Sequence, residues 1–284
     1  MSAQLITTEL RRWIVEQVAA GHPPDIIVDA MKLSGWDAPT ALDALKTTMR
    51  DQRRVEAGES IEPEPARPVP GTHIHAGSQL VHAGDCDVRV LMALALPRVV
   101  VFGDLIPADE CEELIALARS RLARSETVET RTGASAVNEA RTSDGMFFEP
   151  AEFPVCARIE QRIATLLGWP LENGEGLQVL RYGPGAEYKP HYDYFDPDEP
   201  GTPAILTRGG QRVASIVCYL NTPEAGGATA FPDAGLDVAP VAGNAVFFSY
   251  ERPSPSTRTL HGGSPVTAGE KWVATKWMRE RRFE

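Results

Sequence analysis

The sequence of 284 residues is poor in cysteine and contains no long hydrophobic run. Its four cysteines are far apart and form no Cys-x-x-Cys pair: Cys86, Cys111, Cys156 and Cys218. This spacing is atypical of a disulfide framework and favours reduced thiols. No segment approaches the roughly 18 apolar residues of a transmembrane helix, and Glu9, Arg11 and Arg12 interrupt the first apolar stretch, unlike a secretory signal peptide. We therefore expect a soluble, cytoplasmic protein without a membrane partner.

Basic residues are also scarce relative to acidic ones. The chain has 28 Lys and Arg against 39 Asp and Glu, a formal net charge of −11. Because neutralising phosphates requires clustered Lys and Arg, this balance argues against nucleic-acid binding. Hydrophobic residues make up 43% of the chain, which is ordinary for a globular protein, and the length suits one large domain with a small second one.

Hydrophobic periodicity predicts a small helical bundle over residues 1–52. Apolar residues recur at helical spacing in three segments, with Gly and Pro between the first two and Ser34-Gly35 after the second. Asp37 is the predicted N-cap of the third helix, and Trp13 and Trp36 are the predicted core anchors. The bundle could pack on the main domain, aid dimerisation or bind a partner.

Residues 53–87 are predicted to be a Pro- and Glu-rich linker and extension. Four glutamates and four prolines alternate within the first part of this segment: Glu56, Glu59, Glu62, Glu64, Pro63, Pro65, Pro68 and Pro70. Such a composition does not form a core. We place the main folded domain at residues 88–284.

The main domain is predicted to be mainly β, with flanking helices near residues 107–118 and 159–167. Short strands separated by Gly, Pro, Asn and Asp predict a double-stranded β-helix, or jelly roll. The candidate strands are residues 177–182, 187–193, 211–220, 227–231, 236–239, 244–249, 258–262 and 271–278. Residues 194–210 are too long for a tight turn and are a candidate active-site lid.

Two histidines and one aspartate in this domain suggest a metal site. His191 and Asp193 are two residues apart, so on a strand both side chains point to the same face. A later histidine, His261, could complete the two-His, one-carboxylate set that holds non-haem Fe(II) and leaves other positions open. A His-x-Asp pair alone is weak evidence, and the same three ligands also suit a catalytic zinc ion.

Lys271 strengthens the iron interpretation. It opens the last predicted strand, where alternate residues place Lys271, Val273, Thr275 and Trp277 on one face. A face that mixes one charge with apolar and aromatic groups is typical of an interior pocket wall.

These motifs resemble the prolyl 4-hydroxylase-like branch of the 2-oxoglutarate- and Fe(II)-dependent dioxygenases. The resemblance covers about residues 97–281, and its motifs occur in the family's order and approximate spacing. They are residues 141–143, 177–182, 191–195, 209–212, 226–232 and 261–277.

The resemblance implies a role for eleven residues. His191, Asp193 and His261 would bind iron, and Lys271 would bind the distal carboxylate of 2-oxoglutarate. The remaining residues fall into two groups: Tyr182, Thr229 and Trp277 at the cosubstrate, and Arg141, Ser143, Tyr188 and Arg212 near a peptide substrate. One departure concerns Arg279, which stands where several relatives carry histidine and puts the substrate in doubt.

The implied cofactors are Fe(II), 2-oxoglutarate and dioxygen as cosubstrates, and ascorbate as a supporting reductant. The implied reaction hydroxylates a prolyl residue of a peptide or protein and releases succinate and carbon dioxide. Two alternatives are a zinc hydrolase and a peptide-binding relative without catalysis. No His-Glu-x-x-His helix supports the hydrolase, and the complete ligand set argues against the inactive relative.

Overall fold

The computed structural model describes residues 6–58, 67–75, 77–128, 135–137 and 140–284. The described residues fall into two compact units. The first contains residues 6–58 together with Ser254–Arg258. The second contains the described residues of Arg67–Pro253 and Thr259–Glu284.

Three helices form the first unit, as predicted: α1 (Thr8–Ala19), α2 (Pro24–Leu33) and α3 (Ala38–Glu56). The carboxylate of Asp37 caps α3, because its Oδ1 accepts a hydrogen bond from the Thr40 backbone N–H at 3.0 Å. Fully buried Ile14, Ile27 and Met31 fill the core. The predicted anchors Trp13 and Trp36 are only half-buried and pack against this core from outside it.

The second unit begins earlier than the sequence suggested. Residues 59–66 and 76 of the predicted linker lie outside the described residues. From Arg67 onward the chain belongs to the second unit, and Ile74 is fully buried in its core. The Arg98 guanidinium donates hydrogen bonds to the carbonyls of Gly71 and Ile74. The predicted start of the main domain near residue 88 is therefore too late. The average composition of the Pro-rich segment does not reveal the single apolar side chain, Ile74, that is buried in the core of this domain.

The described part of the second unit has three helices, α4 (Ala108–Arg119), α5 (Pro154–Leu167) and α6 (Thr202–Leu206). Its strands are β1 (Leu80–His82), β2 (Asp87–Leu94), β3 (Arg98–Gly103), β4 (Ala123–Arg124), β5 (Glu126–Val128), β6 (Ser135–Val137), β7 (Asp144–Phe147), β8 (Gln178–Tyr182), β9 (Tyr188–His191), β10 (Arg212–Tyr219), β11 (Ala225–Gly226), β12 (Thr229–Phe231), β13 (Leu236–Val238), β14 (Ala245–Ser249), β15 (His261–Gly263), β16 (Val266–Ala268) and β17 (Lys271–Arg279). The α6 helix lies within the segment predicted as a lid.

Two antiparallel sheets carry the predicted jelly roll. The larger sheet has nine strands in the order β1-β2-β3-β14-β10-β17-β8-β7-β4, and the smaller has four in the order β13-β12-β15-β9. Along the chain, β8, β10, β14 and β17 belong to the larger sheet, whereas the intervening β9, β12, β13 and β15 belong to the smaller one. This alternation between two packed sheets is the connectivity of a double-stranded β-helix and confirms the predicted fold class.

The last strand, β17, lies between β10 and β8 in the larger sheet and is buried on both faces, because a hydrophobic core covers each face. Trp272, Ala274 and Met278 join the core that includes helices α4 and α5. Their neighbour Val273 packs instead in the core between the two sheets. The period-two alternation of the strand therefore assigns the odd-numbered residues from 271 to 277 to the interior of the jelly roll.

Candidate active site

Three metal-ligand side chains converge at one end of the smaller sheet. His191 ends β9 and His261 begins β15, and the two are directly opposite each other in the antiparallel ladder. Asp193 follows two residues after His191, and one ligand atom from each residue lies within 4.8 Å of the others. The Nε2 atoms of His191 and His261 are each 3.5 Å from an oxygen of Asp193. The structure thus brings together the three predicted ligands.

Backbone carbonyls determine which nitrogen of each histidine faces this centre. His191 Nδ1 lies 2.9 Å from the Lys189 carbonyl oxygen, and His261 Nδ1 lies 3.0 Å from that of Thr259. Since a carbonyl oxygen only accepts hydrogen bonds, each Nδ1 carries the proton and donates it. The lone pair of each Nε2 is therefore free to bind a metal, as in other histidine metal sites.

The protonation states of the buried ligands also suit a cation. Burial lowers the pKa of His261 to about 4, so this imidazole is neutral at neutral pH. Burial acts to raise the pKa of Asp193, but the neighbouring His261, His191 and Arg212 outweigh it and hold the pKa well below its usual range. Two imidazoles and one carboxylate are the ligand set that holds non-haem Fe(II) while leaving other coordination positions open.

Lys271 lies in the same pocket as the three ligands. It is directly opposite Tyr182 in the ladder between β17 and β8, and its side chain is 4% exposed. Its Nζ lies 5.4 Å from the ring centre of Tyr182 and 5.7 Å from that of Tyr219. Burial lowers the pKa of Lys271 to about 8. It has no ion pair with any described carboxylate, so the pocket offers a buried cation for an anionic ligand.

The other predicted cosubstrate residues line this pocket too. Tyr182, Thr229 and Trp277 all contribute to its wall. The Tyr219 hydroxyl donates a hydrogen bond to Thr229 Oγ1 at 2.8 Å, which fixes the threonine side chain on the smaller sheet. Trp277 Nε1 is buried and has no hydrogen-bond partner among the described residues. The pocket therefore combines an unpaired cation with polar groups that could orient a dicarboxylate.

Two of the four predicted substrate residues lie in the pocket wall. The ring of Tyr188 stacks on that of His191 at a centroid distance of 3.7 Å. The guanidinium of Arg141 lies 4.9 Å from the centre of the Tyr188 ring and donates a hydrogen bond to Gln178 Oε1 at 2.9 Å. Arg141, Tyr188 and His191 thus form one stack beside the metal site.

Ser143 and Arg212 are outside the pocket lining. The Ser143 hydroxyl is buried against that of Ser125, 3.0 Å away. Arg212 makes a bidentate ion pair with Glu175, at 2.7 and 2.9 Å, and its guanidinium lies 4.1 Å from the Trp277 ring centre. The structure consequently places both residues outside the pocket, and Arg212 packs against Trp277 of the pocket wall.

Arg279 also pairs with Glu175 and does not line the pocket. Its guanidinium donates a further hydrogen bond to the Gly210 carbonyl at 2.6 Å. Burial lowers its pKa to about 10. This side chain therefore joins β17 to the end of residues 194–210.

Sequence reasoning missed the residues that support Asp193. Ser215 on β10 is fully buried and donates a hydrogen bond to Asp193 Oδ2 at 2.5 Å. Its Oγ is also 3.1 Å from the Tyr250 hydroxyl. Strand periodicity gives a usable signal for Ser215, since Ser215, Val217 and Tyr219 alternate with Ala214, Ile216 and Cys218 of the helix-facing core. No comparable signal marks Glu175 or Tyr250.

Comparisons with known proteins agree with this geometry. Residues 177–279 match the model of the 2OG-Fe(II) oxygenase superfamily. Prolyl 4-hydroxylase 1 of Arabidopsis thaliana is 44% identical over 202 residues, which cover 65% of this chain and 70% of that protein. Prolyl 4-hydroxylase 5 of the same plant is 40% identical over 209 residues, which cover 66% and 70%.

A solved structure of the viral collagen prolyl hydroxylase of Paramecium bursaria Chlorella virus-1, a complex with 2-oxoglutarate, is 30% identical, with a TM-score of 0.49. The match covers 64% of this chain and 95% of the viral one. The family model covers the strands β8 to β17, which include the metal ligands and Lys271. The chain belongs to the prolyl 4-hydroxylase family of 2-oxoglutarate- and Fe(II)-dependent dioxygenases.

Proposed function

We propose that this dioxygenase hydroxylates a prolyl residue of a peptide or protein and converts 2-oxoglutarate to succinate and carbon dioxide. One observation carries the proposal: a two-His, one-Asp centre lines the same pocket as a buried lysine that has no carboxylate partner among the described residues. The prolyl 4-hydroxylase names of the Arabidopsis relatives support proline as the target.

His191, Asp193 and His261 would hold Fe(II), which supplies activation of dioxygen for oxidation of a C–H bond. Lys271 would bind the distal carboxylate of 2-oxoglutarate, and the adjacent Tyr182 would donate a hydrogen bond to it. A buried carboxylate is costly without a paired cation. The requirement is mutual, because the ammonium of Lys271 is itself buried without an anionic partner.

The substrate would approach over the aromatic side of the pocket. Tyr188 and Trp277 present ring surfaces there, and such surfaces suit the apolar ring of proline. Arg141 stacks on Tyr188 and keeps its ring parallel to His191. We propose that these three residues orient the prolyl ring beside the metal, and that Ser143 and Arg212 act indirectly, from outside the pocket.

Proline-containing peptides incubated with the enzyme, Fe(II) and 2-oxoglutarate provide the test. We expect a gain of about 16 Da on proline and one succinate for each hydroxylation, both lost in Asp193→Ala. Because the natural substrate is a separate question, lysate proteins should be treated in parallel and mapped by mass spectrometry. Oxidation that falls only on residues other than proline would overturn the assignment of the substrate while leaving the dioxygenase chemistry intact.

A zinc hydrolase is the less favoured alternative. Among the described residues that line the pocket, Asp193 is the only carboxylate, and its Oδ2 already accepts a hydrogen bond from Ser215. Asp193 is thus committed to the metal site, which leaves no second carboxylate there to act as a general base. Formation of succinate from 2-oxoglutarate separates the two functions.

We also propose ascorbate as a supporting reductant and the cytoplasm as the site of action. The four cysteines are all free, which agrees with a reducing compartment. None of the described helices has the length and hydrophobicity needed to cross a bilayer. Ascorbate should prolong turnover without entering the stoichiometry of succinate, and a time course with and without it tests this role.

We propose that the N-terminal helical bundle, whose described residues are 6–58, is a module for a binding partner, and that the catalytic domain begins at Arg67. The module's own core supports this proposal, because Ile14, Ile27 and Met31 pack with each other. Pull-down experiments with the full chain and with a chain that lacks residues 1–52 would show whether a protein partner depends on the module.

A further inference from the structure

A pair of buried hydroxyl groups lies directly behind the proposed metal site. Ser215 is in the middle of β10, where its neighbours across the ladders are Phe248 of β14 and Trp277 of β17. Its Oγ is 2.5 Å from Asp193 Oδ2 and 3.1 Å from the Tyr250 hydroxyl. Ser215 is fully buried and Tyr250 is 2% exposed.

The direction of the hydrogen bonds follows from the carboxylate. A carboxylate oxygen accepts hydrogen bonds, so the Ser215 hydroxyl donates its single proton to Asp193 Oδ2. The Ser215 oxygen can then accept the proton of the Tyr250 hydroxyl. The result is a directed chain from Tyr250 to Ser215 to Asp193, which we call the hydroxyl chain.

The Tyr250 end of this chain is held by packing. Its ring lies edge-on to that of Tyr194 at 6.0 Å and 6.3 Å from that of Phe248. Asp193, in contrast, lies outside the strands, since β9 ends at His191. Its carboxylate therefore depends on side-chain contacts rather than on a ladder for its orientation.

We propose that Ser215 and Tyr250 are positioning residues that orient the Asp193 carboxylate for metal binding. This inference rests on the proposed function, because it assumes that Asp193 is a metal ligand. A hydrogen bond to one oxygen makes the two oxygens of the carboxylate inequivalent and stops its rotation. The hydroxyl chain also provides a hydrogen-bond donor for Asp193 Oδ2, a buried oxygen that would otherwise have no donor from this chain before the metal binds.

Mn(II) binding to the metal-free full chain, measured by electron paramagnetic resonance, tests the inference without turnover. Ser215→Ala should raise the dissociation constant for Mn(II) about 10- to 100-fold, the range typical of lost hydrogen bonds to metal ligands. Tyr250→Phe should raise it by a smaller factor, because Ser215 still donates to Asp193. Ser215→Thr keeps the hydroxyl and should recover most of the affinity.

Ser249→Ala is the matched control. Ser249 is buried on the neighbouring strand β14, and its hydroxyl has no hydrogen-bond partner among the described residues. Loss of this hydroxyl changes a similar environment without touching Asp193, so Mn(II) affinity should stay at the wild-type value. The Mn(II) signal of Ser215→Ala should also change shape, a sign of altered ligand geometry that a general loss of stability does not produce.

The outcomes separate the inference from the function on which it rests. Equal Mn(II) affinity in wild type and Asp193→Ala would show that the metal triad itself is wrong. A second outcome is that Asp193→Ala abolishes Mn(II) binding, whereas Ser215→Ala and Tyr250→Phe leave the Mn(II) affinity unchanged. This outcome would overturn the positioning role alone. If Ser215→Ala fails to fold, Tyr250→Phe carries the same test, because it removes one hydroxyl and keeps the aromatic ring.

Discussion

The binding of 2-oxoglutarate should weaken as pH rises through the pKa of Lys271. Burial lowers this pKa to about 8 in the free pocket. Only the protonated ammonium can pair with the distal carboxylate, and the pairing in turn favours the charged form. The pKa of Lys271 is therefore expected to be higher in the complex than in the free enzyme, so that binding takes up protons from solution.

The size of the change in 2-oxoglutarate affinity follows from the pKa of Lys271 in the pocket without cosubstrate. At pH 7 about nine-tenths of the lysine is already charged, and at pH 9 about nine-tenths is neutral. The dissociation constant should rise by about tenfold for each pH unit above 8, which corresponds to roughly 1.4 kcal/mol per unit. At pH 8 binding should take up about half a proton, and at pH 7 about a tenth.

Calorimetric titration of 2-oxoglutarate into the Mn(II)-loaded protein measures both quantities. Titrations in two buffers with different ionisation enthalpies give the number of protons taken up. Lys271→Ala should bind at least about tenfold more weakly at pH 7, a loss of roughly 1.4 kcal/mol or more, and should take up no proton at this site.

Lys271→Arg is the informative control, because arginine stays charged over this pH range. It should bind more weakly than wild type, since a planar guanidinium does not fill the space of an ammonium, but with an affinity that no longer falls between pH 8 and 9. A pH dependence that persists unchanged in both variants would assign the titration to another group and refute the role of Lys271. The cosubstrate cation would then have to be sought at Arg141, the other Lys or Arg among the described residues that line the pocket.

Three further changes test other parts of the structure. Asp193→Ala should abolish succinate formation while circular dichroism shows an intact fold, and full turnover at saturating iron would disprove the triad. Glu175→Gln should lower the free energy of unfolding in urea by about 3–5 kcal/mol, because two buried guanidiniums lose their carboxylate; a loss below about 1 kcal/mol would contradict that estimate. Deletion of residues 1–52 should leave 2-oxoglutarate turnover near the wild-type rate, since every pocket residue lies in the second unit, and loss of cosubstrate binding would show that the bundle is part of the catalytic fold.

Strand periodicity explains why much of the pocket could be predicted from the sequence. The strand β17 is buried on both faces and carries one lysine on each: Lys271 in the pocket and Lys276, paired with Glu160, on the other side. The motif resemblance identified Lys271 as the pocket lysine, and Val273, Thr275 and Trp277 followed by alternation. The fold class followed in the same way from short strands with Gly- and Pro-rich turns.

A local break in periodicity explains part of what could not be predicted. The ladder between β10 and β17 shifts between Arg212 and Ala214. Val213 and Ala214, although adjacent, both join the core on the helix side. Counting back two residues from Ala214 predicts that Arg212 also faces the helices. Because of the bulge, Arg212 faces the other side of the sheet, and its guanidinium lies over Trp277. A one-residue bulge leaves no mark in the composition of the segment.

Register couples the two halves of the pocket. His191 is opposite His261 in the smaller sheet, and Lys271 is opposite Tyr182 in the larger one. A slip of one residue in either ladder would turn an essential side chain to the wrong face, and in β17 it would place Trp272 in the pocket and Lys271 among the helices. On that side Glu160 already pairs with Lys276, so a second buried lysine there would be costly. The site residues therefore help to select the strand register that creates the site. Substitutions that make Lys271 apolar are expected to weaken both the preference of β17 for this register and the binding of the cosubstrate.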